Sequence, residues 1–524
     1  MENKNTIIAL ILMLIVWTGF TYFFPPEQVE NKVAVENIVK ETKEKVVVTT
    51  SVQEQFVNKI VNKNVEKTIT IENDNFIAVF STKGGSLVDY KLKKYKKENS
   101  PDSSLVSMLS VDDNIYSILV SGSDQLGIAG DVVFTTKSPS VVIVDDRYTL
   151  VFEVVTSSGL LVTKSFVFTS DSYTIKFSSD IHNGSAAELK GIFSLNLNTA
   201  WDDSMEGNRL EFVGPVSYVD GGLETVDVED LDEGPVSYNE NVMWTGFESK
   251  YFISTIVGAD LKTINVGKIN NIINNNYSSG PVSLAAGDTR SINADIFYGP
   301  KDVNILSQVN ENLAKAVDFG FFKILAKPLH TVLNFFYSYI GNYGVSIIIL
   351  TIILKMIFWP LTQKSYVSMK AMQTIQPEMK KLREKYSSDK ESLNKKMMEL
   401  YKEHRVNPLG GCLPMVVQIP VFFALYKVLL DTIELRHAPF VFWLTDLSVK
   451  DPYYITPLIM GATMFIQQRL TPSTMDPMQA KMMLAMPVVF TFLFLNFPSG
   501  LVVYWLVNNL LTIFQQYLIY KKPA

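Results

Sequence analysis

Lys355 stands inside Val345 to Leu361, a run that is otherwise almost entirely apolar, with Thr351 one helical turn before it. A lysine near the centre of a membrane-spanning helix costs about 2.5–3.5 kcal/mol to insert, so it has a partner, meets water, or snorkels to an interface. Lys355 lies six residues before Leu361, about 9 Å by helix rise, and its stem could cover most of that distance. Snorkelling and a charge held in a wet groove therefore both remain open. Other polar residues interrupt later apolar runs: Gln418 in Leu413 to Leu430, Gln467, Gln468 and Arg469 in Ile455 to Leu470, and Asn508, Asn509, Gln515 and Gln516 in Leu501 to Tyr520, where Tyr504 is a further groove candidate. The chemistry open to this set is hydrogen bonding and charge attraction. There is no P-loop, His-Glu-x-x-His motif or nucleophile elbow, and His182, His330, His404 and His437 are scattered. No catalytic residue, metal or cofactor is expected.

The elements that position these residues are long. With 47% hydrophobic residues in 524 and the apolar ones gathered in blocks, the chain reads as a membrane protein. Thr6 to Phe24 is long enough to cross about 30 Å of hydrocarbon and reads as an uncleaved anchor, giving residues 1–24 as a first unit. Residues 25–73 mix Val, Glu, Lys, Asn and Thr without sustained period and read as a flexible linker. From Phe76 to Tyr298, short β-branched and aromatic runs alternate with turn signals at Lys83-Gly84-Gly85, Asn183-Gly184, Asp220-Gly221-Gly222 and Ser279-Gly280-Pro281. A large antiparallel β-sandwich is expected, and with a helix over Val303 to Val317 it forms a unit at 74–318. The single cysteine, Cys412, leaves no intramolecular disulfide to support it. Residues 319–340 mix Phe321, Phe322, Leu325 and Phe336 with Lys323, Lys327, Pro328 and His330, which suits a helix lying in the membrane interface.

Residues 341–524 hold five further spans: Val345 to Leu361, Leu413 to Leu430, Ile455 to Leu470, Leu484 to Phe497 and Leu501 to Tyr520. The segment Thr362 to Gly411 carries eleven basic against six acidic residues, and the positive-inside rule makes it cytoplasmic. Parity then puts the sandwich outside and both termini inside. Within 363–411, Met369, Met372, Met397 and Tyr401 lie on apolar stripes that predict a hairpin of two amphipathic helices. Methionine-rich stripes suit shifting contact with varied apolar segments, or plain packing. The basic residues can also meet anionic lipid. They do not cover the chain, so no specific nucleic-acid site is implied. Because the polar residues lean toward the cytoplasmic ends of their spans, they would enclose a groove open to the cytoplasm and closed on the far side.

Asn407-Pro408-Leu409-Gly410-Gly411-Cys412, Asp451-Pro452-Tyr453-Tyr454 and Phe497-Pro498-Ser499-Gly500-Leu501, in that order around the spans, resemble the YidC family of insertases. The likeness covers Phe319 to Tyr520 closely, and the anchor with a large periplasmic domain resembles the Gram-negative form. It implies a six-span protein of the inner membrane that inserts and folds nascent membrane proteins, alone or with the Sec translocon and its accessory complex. The ribosome, the signal-recognition receptor and anionic lipids are the further partners implied. The family's groove arginine corresponds to Lys355, which keeps the charge but not the planar fork, and Thr351 and Trp505 match positions of substrate contact. A solute transporter with an accessory carbohydrate-binding domain is the alternative, against which stands the lack of Asp or Glu inside the core spans. A periplasmic chaperone merely anchored by its spans is a third reading.

Overall fold

The computed structural model describes residues 66–110, 114–143, 147–205, 211–239, 241–258, 263–386, 389–404, 406, 413–471 and 477–521. The expected anchor at Thr6 to Phe24 and the motif Asn407 to Cys412 lie outside them. Two compact units divide the described chain at Asp318/Phe319.

The first unit is built on three sheets, two five-stranded and one eight-stranded. Strand Leu160–Thr169 illustrates why they form: Leu160, Val162, Phe166 and Phe168 alternate into the core while Leu161, Thr163 and Ser165 face outward. The eight-stranded sheet packs on both smaller ones. Phe80 meets Phe166 at 4.8 Å between centroids on one side, and Thr245 donates to Asn275 at 3.2 Å on the other. One continuous apolar core results.

Three sequence expectations change here. Strand Thr68–Glu72 lies within the stretch read as linker; only five residues long, it buries Ile69 and Ile71 by pairing with Phe76–Ser81. The sheets are not wholly antiparallel, because Ile71 and Glu72 pair parallel to Val141 and Val142. Ser279-Gly280-Pro281 is not a turn but an irregularity inside strand Ile272–Leu284, opposite a register shift at Ile192/Ser194, and Gly280 takes φ +71° there. A bulge needs the left-handed backbone as much as a turn does, so Gly alone does not distinguish them.

Helix α1 (Val303–Val309) is capped by Asp302, whose carboxylate accepts from the backbone of Asn304 and Ile305. It ends at Asn310, so the helical spacing expected through Val317 is met by a separate 3₁₀ turn, Leu313–Ala316.

The second unit contains α2 (Lys323–Ile340), α3 (Tyr343–Thr374), α4 (Gln376–Lys385), α5 (Lys390–Glu403), α6 (Leu413–Asp431), α7 (Ile455–Leu470), α8 (Pro477–Phe494) and α9 (Ser499–Lys521). Among the described residues α3 is the one helix long and apolar enough by composition to cross a membrane. It does not stop at Leu361 but continues through Thr374, so the first arm of the α4–α5 hairpin is led by the end of α3, which carries Met369 and Met372. Pro377 opens α4, where a missing N–H is harmless, and the break falls at Ile375.

The loop after α6 packs across the first turns of three helices. Phe440 lies against Gly344 of α3, where an added Cβ would come within 2.0 Å of its ring. Asp451 accepts from the Thr456 backbone and hydroxyl of α7, both at 2.7 Å. Ser499 of α9 donates to the Asp446 carbonyl at 2.9 Å. This end of the bundle is thereby closed.

Candidate functional site

Helices α3 and α9 run the same way from the closed end, since Gly500 lies beside Ile347, Lys355 beside Thr512, and Thr362 beside Gln515. Near their starts Gly500 approaches Ile347, and Leu350, Leu501, Val502 and Val503 around them are buried. The character of the contact then changes. Thr351, Lys355, Phe358 and Thr362 recur at helical spacing on α3, and Asn508, Thr512 and Gln515 do so on α9, forming a polar seam. Lys355 lies about 17 Å along the helix from Gly344 at 1.5 Å per residue.

Beside the seam is a partly open cavity of about 30 Å³, lined by α3, α6 and α9. Thr351, Lys355, Gln418, Tyr504 and Asn508 all contribute to its wall, together with Leu354, Phe358 and Val421. Tyr504 is buried in that wall. Lys355 is buried, and its ammonium donates to the Thr512 hydroxyl at 2.6 Å. Among the described residues no Asp or Glu forms an ion pair with it.

Other sequence candidates lie elsewhere. Gln515 closes the seam, donating to Thr362 at 2.9 Å and to the Trp359 carbonyl at 3.3 Å. Asn509 is on the opposite side of α9 and donates to Thr463 of α7 at 3.3 Å, as Gln516 does to Thr471 at 3.1 Å. Trp505 is not in the cavity wall; it packs among Phe422, Phe490 and Phe494, with centroids 4.9, 6.3 and 5.2 Å away. In the hairpin, Met372 and Met397 are buried with Ile375, Met379, Leu400 and Val406, and Tyr401 packs on that cluster. Packing is the role their burial favours, while Met369 remains half-buried outside the cluster. Sequence reading missed Thr362 and Thr512. Each lies a whole number of helical turns from a residue already singled out, Thr362 two turns after Lys355 and Thr512 one turn after Asn508, and that spacing was the available signal.

The arrangement offers hydrogen-bond partners and one positive charge, and none of the cavity-lining residues is Asp, Glu, His, Cys or Ser. Comparison with known proteins agrees with a transport role. Residues 335–524 match the family model described as 60Kd inner membrane protein, and residues 68–332 match that of the YidC periplasmic domain. A protein of Geotalea uraniireducens named membrane protein insertase YidC is 45% identical over 527 residues, covering 99% of each chain. Its namesake in Geotalea daltonii is 44% identical over the whole of both chains, and that of Geobacter sulfurreducens 40% identical over 99% of this chain and 98% of its own. A solved structure of an active YidC insertase overlaps 88% of this chain and 94% of its own at 17% identity, with a TM-score of 0.39, too low to add to the sequence relationship. With both of its units matched and full-length relatives above 40% identity, the chain belongs to the YidC family of membrane protein insertases.

Proposed function

We propose that this inner-membrane protein inserts nascent membrane proteins into the bilayer through the seam between α3 and α9. One observation carries the reading: Lys355 is a buried cation whose hydrogen-bond partner is a neutral hydroxyl, at the wall of a cavity shared with Gln418, Tyr504 and Asn508. A client's polar or acidic tail enters from the hairpin side and reaches Lys355, while its apolar segment leaves beside α3 and α6 into lipid. Apolar transfer and the membrane potential supply the driving force.

In this reading the N-terminal anchor and five core helices give six spans, with both termini and the α4–α5 hairpin cytoplasmic and the β-rich unit periplasmic. The exposed Phe321 and Ile324 support an interfacial position for α2 and its leading turn. The Sec translocon with its accessory complex, the ribosome, the signal-recognition receptor and anionic lipids are its expected partners.

Deleting the β-rich unit up to Asp302, with the anchor joined directly to Val303, tests where the activity resides. The shortened chain is expected to keep at least about a third of the wild-type rate of protease-protected insertion of a short single-span substrate, because the seam is untouched. Complete loss with the helical unit still folded would move the activity to the periplasmic side.

A further inference from the structure

A lysine stem has four rotatable carbons, and in a wide polar groove its ammonium would sample many positions. Lys355 has one feature that fixes it. Its Nζ lies 2.6 Å from the Thr512 Oγ1, and Thr512 in turn donates its hydroxyl hydrogen to the Asn508 carbonyl at 2.7 Å. With that hydrogen committed, the oxygen facing the ammonium can only accept. Thr512 is itself buried, 3% exposed, and β-branched, so its side-chain torsion is strongly restricted within the helix.

The identity of the partner matters as much as its position. A carboxylate at this point would hold the ammonium equally well but cancel its charge. A hydroxyl orients the group and leaves the charge intact, with N–H donors still to be shared. Asn508, which anchors the Thr512 hydroxyl, also lines the cavity, so the chain of contacts runs from the cavity wall to the cation and back.

We infer that Thr512 is a positioning residue for client recognition, holding the Lys355 ammonium at the cavity without neutralising it so that an anionic group of the entering tail can pair with it. This rests on the proposal that Lys355 attracts the tail. It adds that selectivity for acidic tails is set by α9 as well as α3.

The test uses the full-length protein in liposomes and two single-span substrates that differ only in having three Asp or three Asn in the translocated tail. The quantity measured is the ratio of their initial insertion rates. Thr512→Val keeps the shape and removes the acceptor; a hydrogen bond to a charged group is worth enough that the acidic-to-neutral ratio is expected to fall about tenfold. Thr512→Ser, which restores the hydroxyl, is expected to recover most of the ratio. A ratio unchanged in Thr512→Val while Lys355→Ala abolishes it would overturn the positioning role alone, as would loss of both rates in equal proportion. A ratio that survives Lys355→Ala would overturn the proposal about Lys355 on which the inference stands.

Discussion

Lys355→Glu is expected to lower insertion of a substrate with an acidic tail at least about tenfold, and to impair a substrate with a basic tail much less. The argument is electrostatic. Two unit charges about 6 Å apart at an effective dielectric near 20 interact by about 3 kcal/mol, and reversal turns that attraction into repulsion of similar size. The dielectric in this seam is set by its surroundings: Lys355 is 8% exposed, and Leu354, Phe358 and Val421 share its cavity wall. Screening by salt is weaker there than at a surface, so the defect is expected to persist at high ionic strength. Equal insertion of acidic and basic tails by Lys355→Glu would mean that tails do not pass this charge.

The second large effect concerns the β-rich unit. Lys164 occupies a core-facing position in strand Leu160–Thr169, between Val162 and Phe166, and is fully buried. Its ammonium donates to the carbonyls of Gly84, Gly85 and Ile118 at 2.7, 3.3 and 3.2 Å, tying the Lys83-Gly84-Gly85 turn to the eight-stranded sheet. Gly84 can be there because it lacks a side chain: its φ is +68°, and a Cβ would lie 2.6 Å from the Gly130 carbonyl. Lys164→Met fills the space but leaves three carbonyls without a donor, and is expected to destabilise the unit by about 3 kcal/mol at pH 7.

Burial pushes the Lys164 ammonium down to about 7 from an ordinary value of 10.5. Between those two values the unfolded chain binds a proton that the folded unit does not. Stability from this residue therefore rises with pH through that window, by about 1.4 kcal/mol per unit, and is flat below it. The useful range is pH 7 to 9.5, before tyrosines ionise in the unfolded chain. The midpoint of denaturant unfolding should climb across it in the wild type and lose most of that slope in Lys164→Met. Parallel slopes in the two proteins would assign the effect to other groups.

Much of this was legible in sequence because polar residues inside apolar runs stand out. Lys355, Thr351, Gln418 and Asn508 were found that way, and the structure gathers them with Tyr504 at one cavity. What periodicity could not show was which partner each residue faces. Asn508 and Asn509 are adjacent, and successive residues on a helix point about 100° apart, so one turns to the seam and the other to α7. Trp505 follows Tyr504 for the same reason into an aromatic cluster. Thr362 escaped notice because the apolar run ends at Leu361 although the helix continues, and Thr512 because a hydroxyl that bonds back to its own helix is cheap in an apolar run.

In the β-rich unit, β-branched and aromatic runs marked the extent of the sheets, yet Lys164 in the inward row of strand Leu160–Thr169 passed unremarked. Its lone charge in a Leu-Val-Lys-Phe-Phe face was a readable anomaly. Strand Thr68–Glu72 was hidden by its length, since two buried isoleucines are too few to set a period against the polar segment before them.

The most direct measurement is protease-protected insertion of a short single-span substrate with an acidic tail into liposomes containing only the purified protein, without ATP. Empty liposomes and liposomes with Lys355→Ala run beside it. Protection well above empty liposomes, falling about tenfold or more in the variant, is the expected result. Protection no greater than in empty liposomes, or undiminished in Lys355→Ala, would contradict insertion through the seam between α3 and α9.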